Sequence, residues 1–102
     1  MSPMSYADAT AKVAANAKAP RVTKEMIESE IVGARYLMDG ITTIAVIELR
    51  NGFKVFGHST PASPENFMAD VGQGYAYDNA FRQLWPLFGF ALRESLFSGL
   101  PL

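Results

Sequence analysis

Cysteine is absent from this chain of 102 residues, and histidine and tryptophan occur once each. Without cysteine there is no disulfide framework, zinc knuckle or thiol catalyst, and the composition fits a reducing compartment. The lone histidine, His58, is followed by Ser59 and Thr60. Neighbouring residues on a strand point to opposite faces, so these three make a poor nucleophile and base pair. No P-loop, H-E-x-x-H or dinucleotide-binding glycine motif is present, and "GQG" alone is too short to count. An excess of one charge is also missing. Nine Lys and Arg stand against ten Asp and Glu, for a net charge of −1, which argues against a broad DNA- or RNA-binding face and leaves any anion site local. No apolar run approaches the roughly 20 residues of a membrane span, and "MSPMSYADATAK" lacks the apolar centre of a signal peptide. The expectation is a soluble, cytoplasmic protein that is not an enzyme and carries no metal or cofactor, with no DNA and no membrane as partner.

What is present suffices for one core. At 49% hydrophobic residues, a chain of this size builds a single core and not two. An Ala-rich segment, "SYADATAKVAANAKAP", opens on Ser5, a natural N-cap with Asp8 three residues on. It has helix propensity but little to bury, so residues 1–20 are predicted to be an arm or helix, and 21–102 a single domain. Thr23 caps a second helix, with Val22 and Ile27 placed as a hydrophobic staple. Ile27, Ile31, Ala34 and Met38 share helical spacing, so this helix is predicted to run to a stop at Asp39-Gly40. The run "ITTIAVIELRNGFKVFGHS" predicts a hairpin about Asn51-Gly52, with a two-residue turn setting Glu48 opposite Val55 and Ile47 opposite Phe56. Two strands are marginal alone. The predicted class is therefore α+β, an antiparallel hairpin or sheet packed with helices and completed by subunit association.

Further on, Ser63 and Pro64 read as the start of a long helix with Glu65 in its first turn. Phe67, Val71, Gly74, Tyr77, Phe81 and Trp85 form its expected buried stripe. Gly72 and Gly74 each cost about 1 kcal/mol there against alanine, so they imply a close approach, a bend or a break. Pro86 separates a last helix whose packing face is Phe88, Ala91, Leu92, Ser95 and Leu96.

On the long helix Tyr75, Asn79 and Arg82 share a face beside the apolar stripe. Two readings fit. In one, Asn79 ties the helix to a loop carbonyl and Arg82 pairs with Asp78 one turn before it. In the other, these residues line a site for an anionic, nucleotide-like ligand. The Asn79 amide would then bond the edge of adenine, Arg82 and Arg93 would fork onto phosphate oxygens, and Phe67, Tyr75 or Trp85 would stack on a base. Phe67 and Trp85 also fit plain core positions.

The C-terminal half carries an N-G-F turn (Asn51-Gly52-Phe53), a "PENF" helix start (Pro64 to Phe67), the pair Asn79-Ala80, and "WPLxG[YF]xL", here Trp85-Pro86-Leu87 with Gly89-Phe90 and Leu92. In these features it resembles a family of small phage proteins. That family in turn resembles the first type of Thoeris anti-defence protein, phage sponges that bind cyclic ADP-ribose isomers, and in some cases cyclic oligonucleotides, without degrading them. The resemblance implies a dimer or hexamer with ligand sites between subunits, acting in the host cell cytoplasm. It makes Phe67, Asn79 and the C-terminal arginines ligand candidates. Two departures stand out. Relatives often read "GESACV" where this chain has Gly57 to Ala62, and often carry an acid where this chain has Phe88. The alternatives are a phage protein that binds and inhibits a host protein, and a hydrolase of the signal, against which the missing catalytic constellation counts.

Overall fold

The computed structural model describes residues 3–16 and 19–99. In chain order the elements are α1 (Tyr6–Asn16), α2 (Lys24–Glu30), β1 (Ile31–Asp39), β2 (Thr42–Leu49), β3 (Lys54–Ser59), a 3-10 turn (Pro64–Asn66), α3 (Ala69–Arg82) and α4 (Leu84–Ser98). The strands form one antiparallel sheet in the order β1-β2-β3. Both early caps read from the sequence are made. Ser5 Oγ accepts from the Asp8 amide at 3.1 Å, and Thr23 Oγ1 from the Met26 amide at 3.1 Å.

The largest departure from the sequence reading is at residues 31–39. The helix capped by Thr23 stops at Glu30, and Ile31 begins β1 rather than a further helical turn. Ile31, Ala34 and Met38 fit helical spacing, but Ala34, Tyr36 and Met38 also alternate along a strand. The central strand decides between them. β2 is apolar on both faces and has two edges to pair, and β1 satisfies one of them over Arg35↔Val46, Tyr36↔Ala45 and Leu37↔Ile44. Asp39-Gly40 is accordingly a hairpin turn and not a helix stop. Gly40 has φ +61° while Asp39 pairs with Thr42, the two-residue turn with glycine at its first central position.

The second hairpin is one residue out from its predicted register. Glu48 pairs with Lys54, Ile47 with Val55 and Val46 with Phe56. Arg50, Asn51 and Gly52 form a three-residue loop, in which Gly52 N donates to Leu49 O and Gly52 has φ +90°. A turn completed by glycine in the left-handed region is the usual three-residue solution. Because side chains alternate, this slip decides which residues meet the core. Val55 and Gly57 face it, and Phe56 faces away.

α3 covers that face of β2 and β3. The core joins Ile27, Ala45, Ile47, Leu49, Val55, Ala76, Ala80, Phe81 and Leu84, with Val22, Ile31, Tyr36, Tyr77, Trp85 and Phe88 packed against it. The contact face of α3 differs from the predicted stripe. Ala76 and Ala80 are buried with Phe81, while Val71 and Gly74 are exposed. Pro64 opens an isolated 3-10 turn, after which the chain extends through Phe67 before α3 starts. The small residues at the contact let helix and strand backbones touch. A Cβ added at Gly57 would overlap the Ala76 carbonyl oxygen and the Ala80 amide nitrogen. On α4, Phe88, Ala91, Leu92 and Ser95 are half-buried as expected, but Leu96 is exposed.

The two mid-helix glycines have different surroundings. A Cβ at Gly72 would stand 2.8 Å from Thr43 Oγ1, a buried and β-branched neighbour, whereas at Gly74 it would meet nothing within 4 Å. Gly74→Ala is expected to stabilise the protein by about 0.5–1 kcal/mol through helix propensity. Gly72→Ala is expected to lose about 1 kcal/mol, because overpacking outweighs the same gain. Urea unfolding of the two variants checks the opposite signs.

Candidate functional site

α3 lies along the free edge of β3, and two of its side chains satisfy that edge. Asn79 Oδ1 accepts from the His58 amide at 3.1 Å, and Gln83 Nε2 donates to the Phe56 carbonyl at 2.5 Å. An edge strand otherwise presents unpaired groups to any passing chain. The expected tie from Asn79 is therefore present, but its partner is a strand amide and not a loop carbonyl. Arg82 Nη2 lies 2.7 Å from Asp78 Oδ2, the i,i+4 pair read from the sequence. Both partners are exposed, and such pairs contribute under about 1 kcal/mol. The Asn79 amide nitrogen makes no hydrogen bond with the described residues, which leaves its donors for another partner.

Beyond this edge lies a recess of about 170 Å³, lined by Ser59, Thr60, Pro61, Asn66, Phe67, Met68, Val71, Gly72 and Tyr75. Local contacts fix its walls. The Thr42 and Thr60 hydroxyls share a hydrogen bond of 2.6 Å that ties the chain after β3 to the start of β2. The 3-10 turn is closed by Asn66 N donating to Ser63 O at 3.0 Å and Phe67 N to Pro64 O at 3.1 Å. The Ser63 hydroxyl donates to the Glu65 carboxylate, and this bond holds the Glu65 pKa below its ordinary value.

Phe67 and Tyr75, two of the residues singled out in the sequence, thus meet in one recess. Asn79 and Arg82 continue along the same side of α3. Arg82 is seven positions on from Tyr75, about 10 Å along the helix. Trp85 sits elsewhere. Its ring packs edge-on to Phe81 at 6.3 Å, and Phe81 stacks on Tyr77 at 6.1 Å, so Trp85 belongs to the core margin. Burial raises the Tyr77 phenol pKa, with Glu28 and Tyr36 adding to the effect. Arg93 is exposed on α4 and lines neither this recess nor the cleft described next.

Sequence reasoning missed Ser59, Thr60 and Asn66 as recess walls, although Asn66 lies within "PENF". It also missed a larger cleft of about 510 Å³ lined by Met26, Ser29, Glu30, Leu49, Arg50, Asn51, Phe53, Leu87, Phe88 and Ala91. There Arg50 Nε donates to Glu30 Oε2 at 2.8 Å, and the Arg50 amide donates to the Glu30 carbonyl at 2.8 Å, binding the hairpin tip to α2.

Chemically, the recess offers two aromatic faces and a rim of hydroxyl and amide groups, with a guanidinium further along the helix. That combination can stack a flat ring and bond its edge. Among known families, the Phage protein (N4 Gp49/phage Sf6 gene 66) family matches residues 22–96. The match starts beside the Thr23 cap and takes in the sheet, both sides of the recess and most of α4. No curated protein and no solved structure matches the chain.

Proposed function

We propose that this chain, which belongs to the N4 Gp49/phage Sf6 gene 66 family of phage proteins, binds a small cyclic nucleotide signal and withholds it without cleaving it. The observation that carries this reading is the convergence of Phe67 and Tyr75 on one recess beside the exposed Asn79–Arg82 column. A base stacked between the two rings would meet the rim of Ser59, Thr60 and Asn66, and the Asn79 amide nitrogen could donate to it. Its phosphates would extend toward Arg82, whose exposed pair with Asp78 is weak enough to exchange. Arg93 lies outside the recess of its own chain, so its part in binding requires a second subunit. On the resemblance to anti-defence sponges read from the sequence motifs, the ligand would be a cyclic ADP-ribose isomer or a cyclic oligonucleotide, sequestered in the host cytoplasm by a dimer or hexamer. Binding alone accomplishes this, with no catalytic step. Nanomolar capture needs about −12 kcal/mol, and stacking supplies about 1–3 kcal/mol per base.

The test is to mix the protein with glycocyclic ADP-ribose, separate bound from free, heat the complex and analyse the released ligand by mass spectrometry. Depletion followed by recovery of intact ligand is expected. Phe67→Ala is expected to weaken binding about tenfold or more, from the loss of one stacking face. No depletion with this ligand or with cyclic oligonucleotides would refute the reading, and recovery of cleaved ligand would turn it into hydrolysis. A second reading, a phage protein that inhibits a host protein, draws on the apolar exposure of α4. It predicts a stable protein complex and no nucleotide affinity.

A further inference from the structure

The cleft of about 510 Å³ between α2, the β2–β3 hairpin and α4 is larger than the recess and shares no lining residue with it. Its size falls within the roughly 300–1,000 Å³ of sites that take a whole small molecule. Segments distant in sequence wall it, with Met26 from α2, Leu49 and Phe53 from the hairpin, and Leu87 and Phe88 from α4. Phe53 is 51% exposed and Leu87 is 40% exposed, so apolar surface stands open on both the hairpin and the helix side of one hollow. Single exposed apolar residues are ordinary on a protein surface, whereas a group of them converging on a concavity marks a ligand site.

Polar groups gather in this cleft where the hairpin tip meets α2, and those still free are donors. Glu30 Oε2 takes the Arg50 Nε proton at 2.8 Å, and the Glu30 carbonyl takes the Arg50 amide at 2.8 Å. Arg50 is thereby anchored at the lining, while its terminal nitrogens make no hydrogen bond with the described residues. Asn51 is spent on one side in the same way. Its Oδ1 accepts from the Phe53 amide at 3.0 Å, which leaves Nδ2 without a partner among the described residues. The Ser29 hydroxyl is turned away onto the Met26 carbonyl at 2.7 Å. What remains is a guanidinium fork beside an amide NH2, next to an apolar wall. A guanidinium fork matches the two oxygens of a carboxylate.

We infer that this cleft is a separate ligand site for a small amphipathic carboxylate, held at its anionic end by Arg50 and Asn51 and along its apolar body by Met26, Phe53, Leu87 and Phe88. Glu30 sets the charge it accepts. The Glu30 carboxylate already neutralises Arg50, so a second anion gains hydrogen bonds and little net attraction. A monoanion is tolerated there, whereas the doubled charge of a phosphate monoester is repelled by Glu30. Most of the affinity therefore comes from the apolar body, at about 0.8 kcal/mol for each CH₂ fully buried. The site draws on neither Phe67 nor Tyr75, so it stands or falls apart from the nucleotide reading.

Calorimetric titration of the full chain with decanoate and with naphthylacetate, below their aggregation limits, tests the site and distinguishes an alkyl body from an aryl one. Saturable binding of at least one of them, at one molecule per chain, is expected. For the alkyl arm, decanol and decyl phosphate are each expected to bind about tenfold more weakly than decanoate, since the first lacks the carboxylate and the second carries a further charge. Arg50→Gln is expected to lower carboxylate affinity about tenfold and to leave decanol unchanged. It keeps the backbone bond to Glu30 and loses only an exposed ion pair, so circular dichroism should match wild type. Phe67→Ala, in the recess, should not alter carboxylate binding. Amide NMR shifts in wild type give a check that needs no variant, with the ligand expected to move Leu49–Phe53 and Leu87–Ala91. No saturable binding of either acid overturns the inference, as do equal affinities for decanoate and decanol or shifts confined to other residues.

Discussion

Gly57→Ala is expected to cost about 3 kcal/mol or more, at or beyond the upper end of overpacking effects. A methyl group at this position overlaps the Ala76 carbonyl oxygen and the Ala80 amide nitrogen, and it lies 2.9 Å from Ala80 Cα. All three are backbone atoms, so no rotamer change relieves the contact. α3 must lift from β3, and this separates Asn79 from the His58 amide and Gln83 from the Phe56 carbonyl. The effect therefore exceeds one misplaced methyl group. It reopens an edge strand and displaces the helix that carries Tyr75 and Arg82. For a chain of this length the thermal midpoint should fall by more than about 10 °C. A variant that melts within experimental error of wild type would show that α3 does not sit this close to the strand.

Phe81→Ala is expected to be comparably severe, at about 3–5 kcal/mol. Phe81 is buried at the end of α3, and its ring stands between Tyr77 and Trp85. Its removal leaves a cavity at the point where α3 passes into α4, so the cost includes lost anchorage of α4 as well as transfer energy. The sequence contains a single tryptophan, so fluorescence reads this site directly. Trp85 emission should shift to the red as water reaches the indole, together with a lower urea midpoint. Unchanged emission and stability would mean that Trp85 is held by other contacts.

These two residues differ in how far the sequence revealed them. Phe81 was legible as core because an aromatic residue at helical spacing has few other uses. Gly57 was not legible. A glycine in a strand signals a close approach without saying what approaches, and Ala76 and Ala80 were hidden behind larger neighbours in the apolar pattern. The predicted stripe ran through Val71, Gly74 and Tyr77 because periodicity weighs bulk, whereas the observed contact is made by the smallest side chains. Residues 31–39 were misread for a related reason. Their apolar spacing fits both periods, and the need of β2 for a second partner strand is invisible locally.

At the candidate site, the pairing of Asp78 with Arg82 and the common face of Tyr75, Asn79 and Arg82 followed from helical spacing. The meeting of Phe67 with Tyr75 did not, since Phe67 closes a separate 3-10 turn and the extended Met68 stands between it and α3. Asn79 shows both sides of this. Its polarity in an apolar run announced a specific hydrogen bond, but the partner, an edge amide 21 residues earlier in the chain, depended on how helix and sheet were docked.

The sequence by itself determined the local features. These are the Ser5 and Thr23 caps, the hairpin about Asn51-Gly52, the helices around Asn79 and Leu92, and the mixed class, each set by neighbours within a turn or two. Tertiary structure alone decided that residues 31–39 are a strand, that Val55 and not Phe56 faces the core, and that Leu84 and Phe88 of α4 turn inward while Phe90 and Phe97 are exposed. Those outcomes depend on which surfaces come together, and the side chains that settle them are far apart in the chain.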